Sequence, residues 1–152
     1  MDAQCTIEKQ APQPTLCVRT RTPVQNIATV LGSAFGEIMN AISAQGAKPA
    51  GMPYVGYRNM DMRDLDLEIG FPVSSPLVAQ GRVQPGELVG GEWASTLHVG
   101  PYASVGPAWE RLQHFITAQH RKPGPVAYEF YFDGPETPPA KIRTRITFPL
   151  AQ

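Results

Sequence analysis

The sequence predicts an α+β fold: a tandem, pseudo-symmetric pair of strand-helix-strand-strand units with antiparallel sheet and a concave sheet surface. Three observations carry this expectation. The chain repeats itself internally, each copy contains one amphipathic helical stripe, and each copy closes on alternating strands. Its punctuation agrees: 14 glycines and 16 prolines in 152 residues mean many turns, as in a strand-rich fold rather than a helix bundle.

The repeat is read from aligned residues. Lys48-Pro49 followed by Tyr54-x-x-Tyr57 returns 74 residues later as Lys122-Pro123 followed by Tyr128-x-x-Tyr131. The same offset matches Leu31 with Val105, Ala34 with Ala108, Phe35 with Trp109, Ile38 with Leu112 and Ile42 with Ile116. Glu68-Ile69-Gly70-Phe71-Pro72-Val73 corresponds to Arg145-Ile146-Thr147-Phe148-Pro149-Leu150 at an offset of 77, which places a short insertion near Gly134 to Pro139. One domain over residues 1–152 is expected, with internal repeats at about 4–78 and 79–152.

Ile27, Leu31, Ala34, Phe35, Ile38, Ala41 and Ile42 lie at helical spacing, so a helix is expected from about 24 to 45, stopped by Gly46 and Pro49. Val105, Ala108, Trp109, Leu112, Phe115 and Ile116 repeat the stripe, and Lys122-Pro123 ends it. Both stripes read as core. Leu65, Leu67, Ile69 and Phe71 alternate with polar residues, as do Ile142, Thr144, Ile146 and Phe148. Leu16 to Thr22 and Leu88 to Val99 supply the strand before each helix, with turns or a bulge at Gly86, Gly90 and Gly91. The expected arrangement has helices on one sheet face and a concave surface on the other.

Charge and composition exclude several functions. Thirteen basic residues balance thirteen acidic ones, which speaks against electrostatically driven binding of nucleic acid or an anionic membrane. MDAQCTIEKQ lacks the pattern of a secretion signal, and no apolar stretch is read as approaching a membrane span of about 18 residues. Cys5 and Cys17 are then reduced thiols of a cytoplasmic protein. Glu110 and His114 are too few ligands for a metal site, so no metal and no cofactor is expected. Arg19, Arg21, Arg143 and Arg145 read as a solvated strand face.

The strand Tyr128-Glu129-Phe130-Tyr131 is the most informative segment. If Tyr128 and Phe130 pack under the helices, Glu129 and Tyr131 face the opposite, concave surface. Glu129 breaks the pseudo-symmetry there, because its repeat mate is Val55. A carboxylate among aromatic rings is costly to desolvate unless positive or hydrogen-bonding groups meet it. Gly100-Pro101-Tyr102 is read as a structural turn before the second helix.

Leu97-His98-Val99-Gly100-Pro101-Tyr102, the helix Trp109 to Ile116, Tyr128-Glu129-Phe130-Tyr131 and Ile146-Thr147-Phe148-Pro149-Leu150 together resemble the GyrI-like small-molecule-binding domain. The same domain serves as the effector-binding half of MerR- and AraC-type multidrug-responsive regulators. Asp66 to Val73 extends the resemblance into the first half. It implies a central ligand cleft between the paired units and a binding or sensing module for hydrophobic, frequently cationic, small molecules, with Glu129 as the buried carboxylate. It also brings Tyr131, Tyr57, Trp93 and Tyr102 forward as ligand-binding neighbours. A chain whose first unit begins by about residue 6 leaves no room for a helix-turn-helix, so direct DNA binding is not expected.

Two other functions stay open at this point. Some relatives resembling this chain hydrolyse strained electrophiles of the cyclopropane type, and Glu129 would then be the catalytic residue, activating water or protonating the leaving carbon. A protein-interaction role is the third, although a neutral, sparsely charged chain offers it no evident patch.

Overall fold

A computed structural model of the chain describes residues 4–134 and 136–151; Pro135, within the expected insertion, lies outside the described residues. In chain order the elements are β1 (Thr6–Gln10), β2 (Gln13–Thr22), α1 (Ile27–Ala44), β3 (Tyr54–Tyr57), β4 (Leu65–Pro72), β5 (Gln84–Leu88), β6 (Gly91–Val99), α2 (Gly106–Ala118), β7 (Ala127–Tyr131) and β8 (Arg143–Pro149). Short 3-10 turns lead into both helices, at Val24–Asn26 and Tyr102–Ser104. The chain is thus the α+β tandem that its repeat implies.

Pro12–Val89 form one compact unit, and the described residues before Pro12 and after Val89 form the other. In the first unit β3, β4, β2 and β5 pair side by side, all antiparallel. In the second, β7, β8, β6 and β1 do the same. The registers correspond residue for residue. Tyr54 faces Gly70 as Tyr128 faces Thr147, and Val55 faces Ile69 as Glu129 faces Ile146.

Each repeat gives its leading strand to the other unit. Thr6 of β1 pairs with Ser95 of β6, while Gln84 of β5 pairs with Cys17 of β2. Both are short outer strands, and β5 carries Pro85 and Gly86, residues that sheets accept at an edge. Gly86 is therefore a strand residue rather than a turn: an added Cβ would sit 2.9 Å from the Cys17 Sγ. Leu88 ends β5, and the turn falls at Gly90-Gly91, where Gly91 has φ 121.

One face of each sheet packs on its helix. In the first unit α1 buries Ala34, Ile38, Ala41 and Ile42, and the sheet presents Leu16, Val18, Val55, Leu67 and Ile69, all fully buried. In the second, Ala108, Leu112 and Ile116 of α2 meet Ala94, Ile146 and Phe148 in one core cluster. The ring contacts match as well. Phe35 meets Phe71 edge-on at 5.4 Å and 70°, and Trp109 meets Phe148 edge-on at 5.3 Å and 76°.

Both helices end on the same device. Gly46 N–H bonds Ser43 O and Ala47 N–H bonds Ile42 O; His120 N–H bonds Thr117 O and Arg121 N–H bonds Ile116 O. This 6→1 and 5→2 pair requires a left-handed residue after the helix. Gly46 supplies it at φ 70 and His120, without glycine's freedom, at φ 58. Val24–Ala44 is long and apolar enough to cross a membrane by length and composition alone, which the sequence analysis did not anticipate; its buried face lies on the first unit's sheet.

Candidate functional site

The site is built on the second unit, where polar residues occupy positions that the first unit fills with core. Val55 and Leu67 are fully buried on the helix side of the first sheet. Their repeat mates on the second sheet are Glu129 and Thr144, in register with Ile146 and Tyr131 respectively. Both remain buried, Glu129 at 2% exposure and Thr144 at 0%. The fold supplies two apolar slots, and the sequence puts a carboxylate and a hydroxyl into them.

Glu129 is met by three aromatic donors. The Tyr102 hydroxyl donates to Oε1 at 2.6 Å, the Tyr131 hydroxyl to the same oxygen at 2.7 Å, and the Trp109 indole N–H to Oε2 at 3.2 Å. Each comes from a different element. Tyr131 follows Glu129 by two on β7, so alternation puts both on one face. Trp109 projects from the first turns of α2, and Tyr102 reaches in from the 3-10 turn before it. Such donors solvate a buried carboxylate by hydrogen bonding, and being neutral they do not cancel its charge.

Tyr102 differs from the others in exposure. Its residue is 41% exposed, although its hydroxyl reaches a nearly inaccessible carboxylate. Its ring lies 6.3 Å from that of Tyr131, tilted by 60°. The turn that carries it starts at Gly100, whose φ of 133 a side chain would rarely adopt. His98 Nε2 at 2.9 Å and Ser104 Oγ at 2.8 Å both bond Pro101 O and hold that turn. The Gly100-Pro101-Tyr102 segment is a structural turn, as expected, and it also positions one of the three donors.

The expected orientation of β7 is reversed. Glu129 and Tyr131 share the face that packs on α2, since Trp109 belongs to that helix and Ile146, the register partner of Glu129, belongs to its core cluster. Tyr128 and Phe130 lie on the other face, where the Tyr128 ring lies 5.1 Å from that of Trp93, tilted by 41°. Alternation fixes which residues share a face but not which face is covered.

Of the five residues singled out, the structure brings Glu129, Tyr131 and Tyr102 together. Trp93 is buried on the opposite face of the same sheet, beside Tyr128. Tyr57 is on β3 of the first unit, in register with Leu67. Sequence reasoning missed Trp109, read as core alone, and Thr144, read as one of an alternating set. A signal was present for both: an indole N–H needs an acceptor when buried, and Thr144 aligns with Leu67 in the repeat.

A second buried carboxylate has a different character. Glu68, 6% exposed, lies on the face of the first sheet away from α1. Tyr54 donates to it at 2.8 Å and Arg58 pairs with it at 3.0 Å. The Thr15 hydroxyl lies 3.1 Å from the Tyr54 phenolic oxygen and donates to it. Burial, with Glu68 close by, holds the Tyr54 hydroxyl far above its ordinary 10.0 and the Cys17 thiol up at about 11. A guanidinium on the carboxylate makes this an ion pair locked within the unit.

Comparison with known proteins places the chain in a family. A model of the GyrI-like small molecule binding domain matches residues 3–151. None of the curated proteins matches the chain significantly. Among solved structures, the EcmrR C-terminal domain is similar at 18% identity and a TM-score of 0.87, with 100% of this chain and 99% of that one covered. SAV2435 bound to tetraphenylphosphonium shares 17% identity at a TM-score of 0.69, covering 99% and 94%. A hydrolase from Listeria innocua shares 13% at a TM-score of 0.70, covering 97% and 92%.

Proposed function

Because the chain belongs to the GyrI-like family of small-molecule-binding domains, we propose that its Glu129 site receives a hydrophobic small molecule bearing a positive charge. The observation that carries this reading is the ring of three aromatic donors around one buried carboxylate. A lipophilic cation seated among Tyr102, Trp109 and Tyr131 gains attraction from Glu129 and from the ring faces together. It also buries apolar surface, which contributes about 25 cal/mol per Å². SAV2435, a structural relative, is bound to a cation of this class. The chain thus serves as a module that sequesters or senses such molecules.

Base catalysis fits the same atoms less well. A general base presents a free lone pair toward its proton, whereas Oε1 of Glu129 already accepts two tyrosine hydroxyls. The test is calorimetric titration with tetraphenylphosphonium. Wild type binds it, and Glu129→Gln, which keeps the shape but loses the charge, weakens binding at least tenfold, about 1.4 kcal/mol. Equal affinity in the two proteins rejects the counter-charge. Consumption of the ligand over time would move the assignment to an enzyme.

A further inference from the structure

Thr144 is the feature of this site that hydrogen bonding within the fold leaves unexplained. Its Oγ1 is buried and has no hydrogen-bond partner, and the whole residue is inaccessible. Buried hydroxyls are nearly always satisfied, and an orphan calls for a reason. Here the position is a core slot: Leu67 fills its counterpart in the first unit, packed at 0% exposure. Valine would fit the space of threonine without the unsatisfied group. The hydroxyl costs stability where it stands, and a partner that arrives with the ligand would offset the cost.

The neighbourhood shows where such a partner would come from. Thr144 is in register with Tyr131 on one side and His98 on the other, all three on the α2 face. Tyr131 touches Glu129 through its hydroxyl and Tyr102 through its ring. Tyr102 is the surface member of this group. It is the most exposed of these residues, and it sits on a three-residue turn rather than within α2 or the sheet. An outward turn of that ring would open the Tyr131 side of Glu129, and Tyr131 is the register partner of Thr144.

We propose that Thr144 is a ligand-contacting, specificity-determining residue of the Glu129 site, selecting cations that carry a hydroxyl or comparable polar group over wholly hydrocarbon ones. This inference rests on the proposed function: Glu129 meets the charge, and Thr144 meets a hydrogen-bonding oxygen or nitrogen on the same molecule. A site that hydrogen-bonds such a group discriminates against the analogue lacking it, because the hydroxyl is then left unpaired in the complex.

The test compares tetraphenylphosphonium with its hydroxyphenyl(triphenyl)phosphonium isomers by calorimetric titration. The proteins are wild type, Thr144→Val, Thr144→Ser and Glu129→Gln. Wild type should prefer at least one hydroxylated isomer by about tenfold. Thr144→Val should erase that preference, bringing the ratio of the two affinities to about one, and Thr144→Ser should retain the preference. Thr144→Val should also melt no lower than wild type, because it removes an unsatisfied group. Parallel losses for both probes in Thr144→Val, or a wild type that shows no preference, overturn the role of Thr144. In either case a large loss in Glu129→Gln leaves the cation reading standing. A wild type that binds none of the phosphonium probes overturns both.

Discussion

The indole of Trp109 points its N–H at Glu129 Oε2, 3.2 Å away, while its ring keeps the edge-on contact with Phe148 that Phe35 makes with Phe71 in the other unit. Two repeat positions have therefore changed together: Phe35 and Val55 in one unit are Trp109 and Glu129 in the other. The packing is retained, and a donor and an acceptor are added to it.

That pairing predicts a measurable coupling. Trp109→Phe keeps the ring and removes one donor from a charged acceptor, at a cost of about 1–2 kcal/mol. Glu129→Val removes the acceptor from three donors and costs more. The double variant restores the side chains of the first unit, so its loss should fall short of the summed single losses by roughly 1 kcal/mol or more. Urea denaturation of the four proteins gives the cycle, and strictly additive losses would show that the indole N–H and the carboxylate do not interact energetically.

His120 holds a left-handed conformation, φ 58, at the position where Gly46 sits at φ 70. The hydrogen bonds from Arg121 and His120 back to Ile116 and Thr117 demand that conformation whatever the residue. Glycine adopts it without the Cβ clash that costs other residues roughly 1 kcal/mol. His120→Gly should therefore raise the midpoint of thermal unfolding by a few degrees, and Gly46→Ala should lower it. A fall in His120→Gly would mean that the imidazole makes a stabilising contact that outweighs the strain.

How much of this was legible in the sequence depends on the kind of signal. The repeat, both helices and the strands β4 and β8 were readable because their apolar spacing is local. β1 and β5 were not: each pairs with a strand of the other repeat, and Thr6-Ile7-Glu8-Lys9-Gln10 and Gln84-Pro85-Gly86-Glu87-Leu88 lack the apolar alternation of a covered strand. The Glu129 carboxylate, Tyr131 and Tyr102 could be nominated as a group, but the face of β7 was misread. Tyr-Glu-Phe-Tyr offers aromatic residues on both sides, and the polarity of Glu129 argued for the open one. Val55 held the answer, since a valine within the first unit's apolar strand marks that position as facing the helix. Thr144 was invisible as a site because alternation treats threonine as an ordinary strand residue, and only the register with Tyr131 shows what it faces.

Gly70 is required by the ring above it. A Cβ at this position would fall 2.7 Å from the Tyr54 hydroxyl oxygen and 2.8 Å from the Leu16 carbonyl oxygen, closer than real side chains come. Tyr54 cannot retreat without leaving Glu68 and Thr15, with which its hydroxyl bonds. Gly70→Ala should cost about 2–4 kcal/mol by overpacking and loss of those bonds. Its partner in the repeat is Thr147, on which Ser95 Oγ sits at 2.9 Å, so the second unit tolerates a side chain there. A Gly70→Ala protein as stable as wild type in urea would show that the ring has room to move.

The same face predicts the alkaline limit of the protein. Cys17 is a free thiol, buried and below Gly86. Burial above all, and then the Glu68 carboxylate, raise it from an ordinary 9.0 to about 11. Tyr54 is raised from 10.0 by the same two causes in the same order. Both groups are neutral when protonated and hold the proton more tightly in the folded chain. Between the unfolded and folded values the unfolded chain binds fewer protons, so stability falls as pH rises. For Cys17 the contribution is intact below 9.0 and lost as pH passes through about 11; for Tyr54 the loss begins above 10.0. Melting temperatures should thus decline from about pH 9 in wild type and from about pH 10 in Cys17→Ala. Thiol labelling at pH 8 should reach the half-buried Cys5 well before Cys17. Identical melting curves for the two proteins between pH 9 and 10 would remove the thiol from the account and leave Tyr54 as the group that sets the limit.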